Sequence, residues 1–259
     1  MSRDVPVEIS SLHNPRLKQL RKWSKDPAGP ECPWLPVEHE KHVFDLARRR
    51  PAALLLVARS RWSAGHLPPA EEILVVTDRV FGSLSTLVTP QGLVAWFPKP
   101  AWRWEDLPGQ VLYLEGLQDP GNLGTIVRAA AATGWGLVTA PGTVSLYNAK
   151  VVRASAAYLW KVPFRQHENP EPLAARAYRF LRSDPRAASS LFDVELAPPL
   201  AVIIGREGGP AREPTGAVSV AGFRIPMAPG VDSLNAAVAA ALVMYEAYRR
   251  QDSPGGAKG

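Results

Sequence analysis

One cysteine, Cys32, stands among 259 residues, and that scarcity excludes an intramolecular disulfide framework and a cysteine-rich zinc site. Such a chain suits a reducing compartment, the cytoplasm. Long apolar runs are missing too. None approaches the ~18–20 residues that a membrane-spanning helix requires, so no membrane partner is expected. The opening stretch "MSRDVPVEISSLHNPRLKQL" lacks the apolar centre of a secretory signal. No internal repeat or long low-complexity tract is present, and the tail "SPGGAKG" reads as disordered.

What is present is ordinary for a globular protein: 46% hydrophobic and 21% charged residues. The chain is long for one domain and comfortable for two. Its net charge of +6 points to an anionic partner, with nucleic acid the first candidate.

The stretch "SSLHNPRLKQLRKWSKD" predicts a basic helix. Leu17, Leu20 and Trp23 form an apolar stripe, and Arg16, Lys18, Arg21, Lys22 and Lys25 supply the polar surface. That surface is either a solvated face or a phosphate-contacting one. Then "HVFDLARRR" reads as a helix, "AALLLVAR" as a buried strand, "EEILVVTDRVFGSLS" as a strand running into a helix, and "QGLVAWFP" as a strand. Together they predict a small α/β domain. The proline- and tryptophan-rich "PKPAWRWEDLPG" reads as a semi-rigid linker, which divides the chain into residues 1–105 and 106–259.

Beyond the linker, "QVLYLEGL", "GLVTAP", "LAVIIGRE" and "FRIPMAP" are short β-rich runs. Between them "NLGTIVRAAAATG", "NAKVVRASAAYLW" and "PLAARAYRFLRS" read as helical. This alternation predicts an open parallel sheet with helices on both faces, whose ligands bind beyond the carboxyl ends of the strands.

Three segments are candidates for such a site. In "LEGLQDPGNLGTIVRAAAATG", Asp119 to Asn122 make a turn and Asn122 is placed to cap the next helix. Leu123, Ile126, Val127, Ala130 and Ala131 form its buried stripe, while Arg128 falls on the opposite side beside Gly124, Thr125 and Ala132. In "LAVIIGREGGP" a strand ends at Gly205, where a ligand can approach the backbone closely. That turn matches neither GxxxxGK[ST] nor GxGxxG. In "FRIPMAPGVDSLNAAVAAALVMYEAYRR", Pro226 keeps Ile225 to Met227 from being a long central strand. Asp232 or Ser233 is expected to cap the helix that follows, which would bury Leu234, Val238, Ala241, Leu242 and Tyr245. Arg249 and Arg250 suit its carboxyl-terminal dipole.

In this order, "DPGNLGTIVRAA", "IIGREGGP" and "IPMAPGVDSLNAAVAAALVMYE" resemble the three motifs of the SpoU (TrmH-like) RNA ribose 2′-O-methyltransferases of the SPOUT superfamily. The resemblance is dense over residues 110 to 250. It is weaker over 1 to 105, where "ISSLHNPRLKQL", "LPVEHEKHVFDL" and "LVTPQGLVAW" are similar to the RNA-binding domain of rRNA-modifying members. It implies a deep trefoil knot in the carboxyl-terminal α/β domain, an S-adenosylmethionine cofactor, a homodimer, and methyl transfer to RNA, with ribosomal RNA the first candidate substrate. Transfer RNA as substrate, a non-catalytic RNA-binding protein retaining the fold, and a base-modifying relative are the alternatives.

By motif position the cofactor contacts are Gly205, Ile225 and Leu234, and the catalytic set is Asn122, Arg128, Glu207, Ser233 and Asn235, with no metal. The family assigns the counterpart of Arg128 the role of general base. A guanidinium, which holds its proton too tightly to act as a base near neutral pH, suits a different task, orienting the ribose and a neighbouring phosphate. The chain departs from the family's usual pattern at Arg206, Pro210 and Ala236–Ala237, and "VEHEKHV" lacks a glycine common in the first domain.

Overall fold

The computed structural model describes residues 8–63, 66–205 and 219–252. The chain divides into two compact units, one of Met1–Pro100 with Tyr147–Ala157 and one of Ala101–Leu146 with Tyr158–Gly259.

The first unit runs β1 (Glu8–Ile9), α1 (Pro15–Lys25), β2 (Trp34–Val37), α2 (Glu40–Ala47), β3 (Ala52–Ala58), α3 (Arg59–Ser63), β4 (Ala70–Val76), α4 (Asp78–Leu84) and β5 (Leu93–Pro98). The sheet order is β1-β4-β3-β5-β2, parallel through β1, β4 and β3, with β5 and β2 antiparallel to their neighbours. Every residue of β3 is buried, as its unbroken apolar run requires of a central strand. Pro36 is tolerated in β2 because β2 is an edge. Asn14 caps α1, Pro15 occupies its first turn, and the expected stripe of Leu17, Leu20 and Trp23 is buried. These three pack with Leu54, Leu56, Val80, Phe81, Val94 and Trp96.

The second unit contains β6 (Gln110–Leu114), α5 (Pro120–Thr133) and β7 (Gly136–Thr139). Helix α6 (Ala149–Ala154) follows in the chain and clusters with the first unit. The second unit then continues with β8 (Phe164–Gln166), α7 (Glu171–Ala174), β9 (Arg179–Ser183), β10 (Leu200–Ile204), β11 (Val220–Phe223) and α8 (Ala236–Asp252). Its six strands are all parallel, in the order β11-β9-β10-β6-β7-β8. From β6 the chain steps outward through β7 to β8, then crosses to the other side for β9, β10 and β11. The order therefore reverses between β6 and β10, and their carboxyl ends open the crevice where such sheets bind ligands.

Several local expectations change. "PLAARAYRFLRS" is half strand: α7 stops at Ala174, Ala177 adopts φ of 61°, and β9 follows. Covered on both faces, β9 shows no alternation, and its arginines imitate a helix surface. "NAKVVRASAAYLW" holds a shorter helix than its pattern suggests, because Ala156 and Ala157 both turn to positive φ just beyond α6. Ile225 to Met227 lie outside β11, as Pro226 demands.

Helix α8 is turned opposite to expectation. Val238, Leu242 and Tyr245 are 48%, 42% and 51% exposed, Leu234 and Ala241 are half-buried, and the face carrying Ala236, Ala239, Ala240, Val243, Met244 and Ala247 is packed inward. Small side chains allow α8 to lie close against α5, where Gly124 is buried too rather than facing outward with Arg128.

The far end of α8 is held by charge. Arg250 donates to Glu246 and to the carbonyls of Leu191, Phe192 and Val194, at 2.6 to 3.0 Å. Arg249 forks onto the same carboxylate at 2.9 Å. The hydrogen bond from Arg249, with the adjacent Arg250, holds Glu246 at about 2, well below its ordinary value. A depressed carboxylate contributes stability that is complete above its unfolded pKa and is lost as pH falls toward the folded one. Native protein should therefore lose stability between about pH 5 and pH 2, and Glu246→Gln should flatten that part of the profile; melting temperatures across this range check it.

Candidate active site at the sheet switch point

The loop that leaves β6 is tied down before it reaches α5. Gly116 adopts φ of 66°, and its amide donates to Thr143 Oγ1 at 3.0 Å. That hydroxyl donates in turn to the Leu114 carbonyl at 3.0 Å, and the Val144 amide donates to the Leu117 carbonyl at 2.8 Å. Gln118 Nε2 also donates to the Gly142 carbonyl. The turns after β6 and β7 thus brace each other at the carboxyl edge of the sheet.

Helix α5 is capped by Asp119, not by Asn122. Asp119 Oδ1 accepts the Asn122 amide at 2.7 Å, and Pro120 fills the first helical position. The Asp-Pro pair was the available signal, since proline at the first helical position marks its predecessor as the cap. Asn122 is thereby moved into the first turn, where its side chain is not the cap.

Its partner is Asn235. The capping oxygen of α8 belongs to Asn235, rather than to Asp232 or Ser233: Oδ1 accepts from the amides of Ala237 at 2.9 Å and Val238 at 3.3 Å. With its oxygen committed to the helix, Asn235 must turn its amino group outward, and Nδ2 donates to Asn122 Oδ1 at 3.0 Å. One side chain satisfies the start of α8 and joins two motifs that lie far apart in sequence. The amino ends of α5 and α8 therefore converge, and their combined dipoles favour negative charge nearby.

The other expected residues are placed as follows. Arg128 is exposed on α5 and, among the described residues, has no hydrogen-bond or ion-pair partner. Ser233 is exposed and likewise makes no side-chain hydrogen bond among them. Gly205 follows β10 directly, and, its chain neighbours apart, no atom of the described residues lies within 4 Å of the point where a side chain would begin. Ile225 is buried and Leu234 half-buried. Glu207, with Arg206 and Pro210, lies outside the described residues. The structure thus joins Asn122 to Asn235 directly, while Arg128 and Ser233 stand exposed with no side-chain partner among the described residues. Among the described residues no group of His, Cys, Asp and Glu is arranged to hold a metal ion.

One ion pair at this edge escaped the sequence reading. Arg182, at the end of β9, forks onto Glu115, just beyond β6, with contacts of 2.8 and 3.3 Å. The two side chains are 10% and 17% exposed. No local pattern announces it, because the partners meet only when β10 is laid between their strands.

Comparison with known proteins follows the same residues. Residues 109–245 match the model of the SpoU rRNA Methylase family. An uncharacterized tRNA/rRNA methyltransferase of Synechocystis is 30% identical, over 95% of this chain and 94% of its own. The 23S rRNA (guanosine(2553)-2′-O)-methyltransferase RlmP of Bacillus subtilis is 24% identical, over 92% of this chain and 98% of its own. Among solved structures, an RNA 2′-O ribose methyltransferase superposes with a TM-score of 0.74 at 28% identity, covering 95% of this chain and 99% of that one. The SpoU methyltransferase AviRb from Streptomyces viridochromogenes, in complex with AdoMet, gives 0.78 at 25% identity, covering 93% and 99%.

The double use of Asn235 separates two substitutions. Asn235→Ala removes the acceptor of two first-turn amides and should lower the unfolding free energy by about 0.5–2 kcal/mol. Asn235→Asp keeps the capping oxygen and loses the donor to Asn122, so it should stay within about 0.5 kcal/mol of native. Denaturant unfolding of both variants checks the assignment.

Proposed function

The chain belongs to the SpoU rRNA methylase family, and from that premise we propose that it transfers a methyl group from S-adenosylmethionine to a ribose 2′-hydroxyl of RNA, with ribosomal RNA as substrate. The observation that carries this reading is the meeting of two family motifs through the Asn235–Asn122 hydrogen bond at the carboxyl edge of a parallel sheet. In this reading the last part of the chain closes the family's trefoil knot, and the enzyme works in the cytoplasm, where its RNA is.

The residues fit the cofactor. Among the described residues, the space beside Gly205 is open to a ligand, and Ile225 and Leu234 offer apolar surface of the kind an adenine ring requires. When bound, S-adenosylmethionine supplies an electrophilic methyl carbon on a sulfonium. With it bound, the ribose oxygen would bond to that carbon as the carbon–sulfur bond broke, releasing S-adenosylhomocysteine, and the hydroxyl proton would need an acceptor. The chain's task is alignment and proton removal.

Arg128 is suited to the first of these. It is exposed, has no partner among the described residues, and stands on the helix whose amino end carries Asn122. We assign it the ribose and an adjacent phosphate, whose free oxygen takes the hydroxyl proton. Asn122, held by Asn235, orients the substrate, and Ser233 completes the floor; Glu207, given the same role by its motif, lies outside the described residues.

In this reading the amino-terminal domain, residues 1–105, binds RNA. On α1, Arg16 is engaged by Glu72 at 2.8 Å and Lys22 by Glu31 at 2.7 Å. Lys18, Arg21 and Lys25 are exposed and unpaired among the described residues, so these three are the phosphate contacts we assign.

A second copy of the chain covers the outward face of α8. Val238, Leu242 and Tyr245, with Thr125, Ala237 and Ala241, line an apolar groove of ≈ 310 Å³. Exposed apolar surface continuous along a helix marks an association site, and a twofold pairing would cover it on both copies.

Arg128→Ala should reduce methyl transfer by about a hundredfold or more while cofactor affinity and melting temperature stay near native. The assay uses labelled S-adenosylmethionine and unmodified ribosomal RNA, with the ribose methyl mapped by mass spectrometry; full activity in the variant would sink the assignment. Leu242→Asp should convert the protein to a folded monomer in sedimentation velocity, and an unchanged oligomeric state would rule out this face.

A further inference from the structure

The carboxyl ends of β6 and β10 are apolar, with Leu114 and Ile204 both buried, and a charged pair lies beside them. There Arg182 and Glu115 form a two-pronged ion pair. Arg182 lies beside Ile203 in the ladder between β9 and β10. Glu115 lies one residue beyond the Leu114–Ile204 pairing of β6 and β10, and its amide donates to the Ile204 carbonyl at 3.0 Å. Strands β6 and β9 share no ladder, since β10 stands between them. The side chains therefore reach across the end of β10, at the level where it gives way to Gly205 and the open space beside it.

Stability alone does not account for this pair. Removing two charges from water is costly, and well-packed apolar residues of similar volume hold such positions as well or better. A forked guanidinium–carboxylate contact does supply geometry: two parallel hydrogen bonds fix distance and orientation together. Glu115 also begins the segment that leads through Gly116 to Asp119 and α5, so its position governs where that segment leaves the sheet.

Resting on the S-adenosylmethionine reading above, we propose that Arg182 and Glu115 are positioning residues for the cofactor site, locking the turn after β6 to the end of β9 so that the crevice at Gly205 is held open to the cofactor. The pair acts through the backbone it fixes. A carboxylate has about four acceptor positions, and the fork occupies two, so the pair can hold its geometry without excluding a further contact.

The experiment compares the native full-length protein with the double variant Glu115→Gln/Arg182→Met and the single variant Arg182→Lys. Calorimetry with S-adenosylhomocysteine gives affinity, and thermal melting gives stability. Removing both charges together leaves neither one buried alone, so the double variant should melt within a few degrees of native. Its affinity should nevertheless fall about tenfold to a hundredfold, as expected when a binding group is misplaced by an ångström. Arg182→Lys keeps the charge but not the fork and should fall between the two. Should the double variant fail to fold, Arg182→Lys decides by the same affinity readout. Native-like affinity in the folded variants would overturn the positioning role while leaving the cofactor reading intact. Failure of the native protein to bind S-adenosylhomocysteine would overturn the cofactor reading, and the pair's role with it.

Discussion

The first amides of an α-helix have no carbonyl of their own helix to reach, and at the start of α8 the Asn235 side chain answers that need. Its oxygen turns toward the helix, which leaves its amino group pointing away and able to do one thing, donate. The recipient is Asn122. A requirement of backbone chemistry thus sets the orientation of a side chain in another motif. Serine or aspartate would cap α8 equally well, but neither would retain the outward amide donor. Capping and site assembly are a single hydrogen-bond arrangement, and the surplus of polar residues at the mouth of α8 follows from it.

The same helix illustrates why hydrophobicity alone misplaces a buried face. Val238, Leu242 and Tyr245 recur at helical spacing and are the larger apolar groups, so their stripe invites burial. Packing inside the unit selected the alanines instead, because Ala236, Ala239 and Ala240 let α8 approach α5 and bring the two amino ends within hydrogen-bond distance. Larger residues on that face would hold the helices apart and break the Asn235–Asn122 contact. The large apolar groups are then left for a partner outside the unit, and close approach at the site and an exposed apolar face are linked consequences of one choice.

Legibility followed the range of the interaction concerned. The stripe of α1, the fully apolar β3 and the ends of β6 and β10 were readable because their signals lie within one element. The motifs around Asn122 and Asn235 were recognisable, but the bond between these residues was not. Caps were misassigned by a few residues where several polar groups stood together, although Pro120 singled out Asp119. Strand β9 was hidden because burial on both faces removes alternation, and Arg182 acquires its meaning only from Glu115, whose strand lies on the other side of β10. Glu207, read from its motif, falls outside the described residues.

The arginines of the second unit divide by what surrounds them. Arg182 and Arg250 are committed, the former to one carboxylate and the latter to a carboxylate and three carbonyls. Recruiting either to a substrate would first break these contacts and leave buried acceptors without donors, at a cost of about 1–3 kcal/mol for each unsatisfied group. Arg128 has no such commitment among the described residues and stands exposed on α5. A cation whose hydrogen bonds go to water can exchange them for a phosphate at little net cost, and it keeps its charge while doing so. The architecture therefore spends its paired arginines on holding strand and helix ends in place, and keeps Arg128 available for a polyanion that must arrive, be aligned and leave.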